Sequence, residues 1–204
     1  MRKTSPLLWL ALSLLAVAAL ALASPAEATL GANARVVYLH GAWVWASLAA
    51  FILAALIGLA GLILRKSHLH RWSRAWGRSA LLFWVTYLPI SLWAMQTNWN
   101  GLFLAEPRWR FALVFAVTGI LLQLGLSFLP AVWASVGNIA FVLALFGAMR
   151  STENVMHPPS PMLDSGFSSI QIFFAALTAL LIFAAWQVVR IFQGSGDKAG
   201  RQKM

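Results

Sequence analysis

From Phe111 to Met149 the chain runs for 39 residues without a charged side chain. As a single helix this run would reach about 58 Å at 1.5 Å per residue, nearly twice the roughly 30 Å of a bilayer's hydrocarbon core. Leu129-Pro130 supplies a break, because proline removes a backbone donor and disfavours helical geometry in the residue before it. The run therefore reads as two membrane spans joined by a tight turn. A water-soluble core in a chain of 204 residues cannot absorb such a run. Only 10% of the residues are charged, where soluble domains carry about 25%.

The other apolar stretches extend the pattern. Val36 to Leu64 has no charge, Ser79 to Met95 has none and contains Pro89, and Ser168 to Val189 has none. The first stretch, Pro6 to about Ala23, follows Arg2 and Lys3 and ends in Ala-Leu-Ala-Ser-Pro-Ala-Glu-Ala. It reads either as a retained first span or as a cleaved signal peptide, and both readings place residue 30 on the same side. The expected fold class is all-α, a polytopic membrane protein of six transmembrane helices with both termini cytoplasmic. Residues 1–193 form one transmembrane domain, and 194–204 read as a flexible basic cytoplasmic tail.

Orientation follows from the basic residues. With the N-terminus inside, the inner segments hold Arg2, Lys3, Arg65, Lys66, Arg71, Arg74, Arg78, Arg190, Lys198, Arg201 and Lys203. The outer segments hold Arg35, Arg108, Arg110 and Arg150, so the count is eleven against four. Retention of Lys and Arg on the cytoplasmic side accounts for most of the net charge of +10 without nucleic acid as a partner; membrane lipid is the expected partner.

Composition removes several kinds of chemistry. There is no Cys, which rules out disulfides, thiolate metal sites and thiol catalysis by this chain. No Asp, Glu, Lys, Arg or His falls in the middle of a span, whereas proton and ion pathways need ionisable groups at depth. Glu106, Glu153 and Asp164 are spread over two loops and form no hydrolase motif. Function is expected at a membrane face.

Two of the four histidines fall on the outer side: His40, within Tyr38-Leu39-His40-Gly41-Ala42-Trp43-Val44-Trp45, and His157, within Asn154-Val155-Met156-His157-Pro158-Pro159. From His40 to Arg65 is 25 residues, or about 37 Å of helix, which places His40 at the outer headgroup level. Trp43 at i+3 shares its face. His68 and His70 sit in the basic inner segment and are expected in solvent or against lipid. Two neutral imidazoles from different helix ends can grip a heme iron from both sides. Trp43, Trp45, Trp99, Phe103 and Trp109 offer flat cover, and Arg35, Arg108 and Arg110 offer partners for propionates. The same residues also fit a bland reading, with structural histidines and an aromatic belt.

The order of these features resembles a known family. Asn33-Ala34-Arg35-Val36-Val37-Tyr38-Leu39-His40, followed by a long apolar helix, is similar to the second helix of heme-handling cytochrome c assembly proteins of the CcmC and broader CcsA type. Glu153-Asn154-Val155-Met156-His157, followed by a Pro/Ser loop and a last span, resembles the site of that family's second heme ligand. The family's Trp-rich outer segment has a degenerate counterpart in Trp99-Asn100-Gly101 through Glu106-Pro107-Arg108-Trp109, where the family has Trp-Gly-Thr-Trp-Trp. The resemblance implies a bacterial-type inner membrane location with the ligand face outside. It implies heme b held non-covalently by His40 and His157 as the axial metal ligands, and partners among heme chaperones and other cytochrome c maturation components. Met156 is an alternative ligand, since Met/His ligation also occurs. A heme-free accessory subunit, with the fold kept and the ligand lost, is the competing expectation.

Overall fold

The computed structural model describes residues 4–27, 29–153 and 162–201. Six α-helices make up the described chain: α1 (Pro6–Leu22), α2 (Ala34–Leu64), α3 (Ser67–Trp99), α4 (Pro107–Ser127), α5 (Ala131–Arg150) and α6 (Ser168–Arg201). Helices α2 to α6 are long and apolar enough to cross a membrane, while α1 is a shorter apolar helix of 17 residues. The fold is thus an all-helical membrane-type bundle, as the uncharged runs require. The break at Leu129-Pro130 falls between α4 and α5. Pro89 lies inside α3, which continues through it.

The basic segment is where the structure departs from the sequence reading. Residues 65–78 are not a loop. The chain reverses at Arg65 and Lys66, with Arg65 in the left-handed region (φ 52°) and the Lys66 N–H donating to Gly61 O at 3.2 Å. Helix α3 starts at Ser67, twelve residues before the apolar run that announces it. Its first turns are held by packing: Trp72 stacks on Trp186 of α6 at 5.3 Å, and Trp76 packs on the same ring at 5.8 Å. At the far end α3 continues to Trp99 and stops at Asn100 (φ 53°), a residue type that tolerates left-handed geometry. Helix α6 likewise continues to Arg201, into the segment that reads as a tail.

Cross-contacts sort the helix ends. At one end Arg190 of α6 reaches Thr4 O before α1 (3.5 Å), Ser79 Oγ donates to Ala185 O (2.8 Å), and Arg74 Nη2 donates to Leu129 O in the α4–α5 turn (2.6 Å). At the other, Asn33 Nδ2 donates to Thr97 O (3.0 Å), Trp84 Nε1 donates to Ala112 O near the start of α4 (3.0 Å), and Tyr38 packs edge-on against Phe173 near the start of α6 (5.3 Å). The first is the basic end. The second is the acidic end, since Glu27, Glu106, Glu153 and Asp164 all stand in its connections.

Helix lengths set the levels. With 21 and 20 residues, α4 and α5 span about 30 Å, the thickness of a bilayer core. With 31 and 33 residues, α2 and α3 span about 46 and 50 Å. Because Arg74 is level with the α4–α5 turn, the α2–α3 hairpin overhangs that turn by about two helical turns. The largest interface joins α2 to α3, and α1 packs chiefly on α6, with Trp9 edge-on to Phe183 at 6.2 Å.

Candidate functional site

The acidic end gathers the residues singled out in the sequence. Arg35, His40 and Trp43 occupy the first three turns of α2, Trp99 closes α3, and Arg108 and Trp109 open α4. His157 lies outside the described residues. Arg35 is exposed; His40, Trp43, Trp99, Arg108 and Trp109 are half-buried.

His40 rests on an aromatic floor. Its ring meets Tyr87 of α3 edge-on at 5.7 Å, Tyr87 meets Trp84 at 4.9 Å, and Trp84 meets Phe111 of α4 at 6.4 Å. These rings arise from one face of α3, because 84 and 87 are three residues apart. Trp43 is engaged beneath: its Nε1 donates to Thr86 Oγ1 at 3.0 Å and its face stacks on Phe83 at 5.4 Å. Trp99 meets Phe103 edge-on at 5.6 Å.

Glu106 is the acidic member. Proline at the next position starts α4, and the Glu106 carboxylate caps it, with Oε2 accepting the Trp109 N–H at 2.6 Å. The side chain is 3% exposed, and its Oε1 has no hydrogen-bond partner; neither does Trp109 Nε1. The carboxylate is near enough to act electrostatically on Tyr87. In sequence Glu106 reads as a scattered loop acid and as part of the degenerate Trp-rich segment, and nothing singles out Tyr87. The Pro107 that follows Glu106 was the available signal for a capping role.

Helix α6 begins beside α2. Phe173 packs on Tyr38 and Phe174 lies over Gly41. The segment bearing His157 leads into α6, and Met162 within that connection is buried in the core. A heme would need two axial donors and flat apolar cover. The described residues supply one half-buried imidazole on an aromatic floor, which is one of the two donors.

The site residues do not ring either of two open apolar grooves. One, of about 250 Å³, is lined by Trp45, Leu163, Phe174, Thr178 and Ile182; the other, of about 150 Å³, by Leu10, Leu14, Trp43, Leu82, Phe83 and Thr86. Of the predicted residues, Trp43 lines the second. Among the described residues, no three His, Asp or Glu side chains gather as a metal site.

At the basic end the structure corrects one expectation. His68 is exposed, as expected, but His70 is 8% exposed and its Nδ1 lies 2.8 Å from Ser135 Oγ of α5. It belongs to a buried polar cluster. Asn138 Nδ2 donates to Ser73 O (2.8 Å) and Ser73 Oγ (3.0 Å), Ser73 Oγ donates to Ala54 O (2.8 Å), and Gln123 Nε2 donates to Asn138 Oδ1 (2.9 Å). Helices α2, α3, α4 and α5 are thereby joined. Buried polar groups need such partners, and bonds of this kind hold membrane helices together. His70 is inside because α3 starts early and turns that face toward α5. No family model matches this chain, no curated protein matches it, and no solved structure matches it.

Proposed function

We propose that the chain is a six-span membrane protein that binds heme as cargo at its acidic end, through His40 and His157, and presents it to cytochrome c assembly partners. Helix α1 supplies the sixth span. The eleven-to-four distribution of Lys and Arg supports an orientation with the acidic end outside and both termini cytoplasmic, and the family resemblance supports a bacterial-type inner membrane.

The observation that carries the reading is the seating of His40 on Tyr87 and Trp84, with the start of α6 packed against the same two turns of α2. The first supplies an imidazole with apolar cover. The second supports the reading because His157 precedes α6 in sequence. Arg35 and Arg108 pair with propionates, Trp99 and Trp109 cover the open edge, and Trp43 supports from below. The bound heme supplies only iron coordination for delivery, and this chain's part is to hold and orient it. Heme chaperones or other cytochrome c maturation components are the proposed partners.

The test is the visible spectrum of the purified chain. Wild type is expected to carry a b-type heme spectrum, and both His40→Ala and His157→Ala are expected to lose it. Wild-type heme content in both variants refutes the site. The absence of native Cys allows topology to be mapped with single introduced cysteines. Thr152→Cys should react with an impermeant maleimide from outside, and Ser67→Cys should not. A second reading, a heme-free accessory subunit acting by contacts within the bilayer, is favoured by the larger groove, which leaves His40 outside it. Protein purified from heme-replete cells without a Soret band would select that reading.

A further inference from the structure

Three arginines share one face of α3 at the basic end. Arg71, Arg74 and Arg78 are spaced i, i+3 and i+7, so they form a stripe two turns long. Arg71 is exposed, and Arg74 and Arg78 are half-buried. Like charges at this spacing repel, and Arg78 is close enough to act on Arg74 electrostatically. Most of the chain's own carboxylates are remote. Four of its five acids, Glu27, Glu106, Glu153 and Asp164, stand at the opposite end, and the fifth is Asp197 near the C-terminus.

Arg74 is held in one orientation. Its Nη2 donates to Leu129 O in the α4–α5 turn at 2.6 Å, while its Nε is buried without a hydrogen-bond partner. A guanidinium fixed in place beside two others is matched by an anionic oxygen at its remaining N–H groups. Beside it the α4–α5 turn presents Phe128, Leu129 and Trp133, all exposed. The level is that of the headgroups, because α4 and α5 are about as long as the bilayer core is thick and their turn sits beside Arg74.

We propose that this face binds the phosphate of an anionic phospholipid, clamped by Arg71, Arg74 and Arg78 of α3, with its acyl chains along Phe128, Leu129 and Trp133. The occupant is anionic, because three guanidiniums share this face and four of the chain's five acids stand at the other end. It must carry chains, because the flank of the site is apolar and faces the bilayer. Arg78, one turn deeper than Arg74, reaches upward along its methylene stem to the same phosphate. The clamp also joins α3 to the α4–α5 turn, so the lipid acts as a bridge between the overhanging α2–α3 hairpin and the shorter helix pair. This proposal does not depend on heme binding.

The experiment is native mass spectrometry of the full chain in detergent, titrated with phosphatidylglycerol or phosphatidylcholine of the same chain length. Phosphatidylglycerol is expected to form a one-to-one adduct that survives activation stripping phosphatidylcholine. Arg78→Gln keeps the Arg74–Leu129 bond and therefore the fold, and should weaken phosphatidylglycerol about five-fold; Arg74→Gln/Arg78→Gln should weaken it about thirty-fold. Arg110→Gln/Arg150→Gln, at the other end, should leave it unchanged. Equal retention of the two lipids overturns the proposal, as does undiminished phosphatidylglycerol binding in Arg78→Gln. Displacement of phosphatidylglycerol by millimolar inorganic phosphate would overturn it too, since the site would then read an oxyanion without its chains.

Discussion

Replacing Gly77 by Ala tests whether the buried polar cluster holds the bundle together. On α3 a Cβ at position 77 would lie 2.5 Å from Asn138 Oδ1, 2.7 Å from Nδ2 and 2.9 Å from Cγ. Real Cβ atoms do not approach so closely, so the Asn138 amide must leave. It cannot leave cheaply, because it donates to Ser73 O and Oγ and accepts from Gln123. Losing those three bonds costs about 2 kcal/mol at the roughly 0.6 kcal/mol measured for one in a membrane protein. Overpacking adds about 1–3 kcal/mol. Against this, alanine stabilises a helix over glycine by about 0.9 kcal/mol. The expected net loss is about 2–4 kcal/mol. Reversible unfolding in mixed micelles with increasing SDS, followed by tryptophan fluorescence, measures it. In an Asn138→Ala background the obstruction is gone, and Gly77→Ala should turn neutral or stabilising by up to about 1 kcal/mol. A Gly77→Ala protein as stable as wild type, or more so, refutes the argument, because helix propensity alone would then govern the site.

Other substitutions probe the acidic end. Glu106→Ala removes the cap on α4 and should destabilise by about 0.5–2 kcal/mol in the same assay, with Glu106→Asp retaining part of the loss as a shorter capping carboxylate. Trp43→Phe deletes the donor to Thr86 but keeps an aromatic face over Phe83; a cost of about 1 kcal/mol is expected in the same assay.

Hydropathy and charge alone determined that this chain is a helical membrane protein, where most of its helices lie, and that α4 and α5 part at Leu129-Pro130. The reason is physical: a bilayer core leaves backbone groups no partners but their own, so an uncharged run of sufficient length must be helical. The same reading placed His40 at a helix end, because the distance from Arg65 is fixed by helical rise. It failed at Ser67–Arg78. There the charges that read as a connecting loop conceal a helix whose other face carries His70, Ser73, Trp76 and Gly77 into the bundle. A hydropathy average cannot separate the two faces of one helix.

Tertiary structure decided which polar residues have partners. Asn138 and Gln123 sit in uncharged runs where nothing in the sequence singles them out, yet they meet each other and Ser73 because Gly58 and Gly77 let the helices close to contact. Tyr87 became the floor for His40 only when α3 was laid against α2. Pairings across helices depend on rotation and register, and those are set by side-chain packing that no single stretch of chain contains.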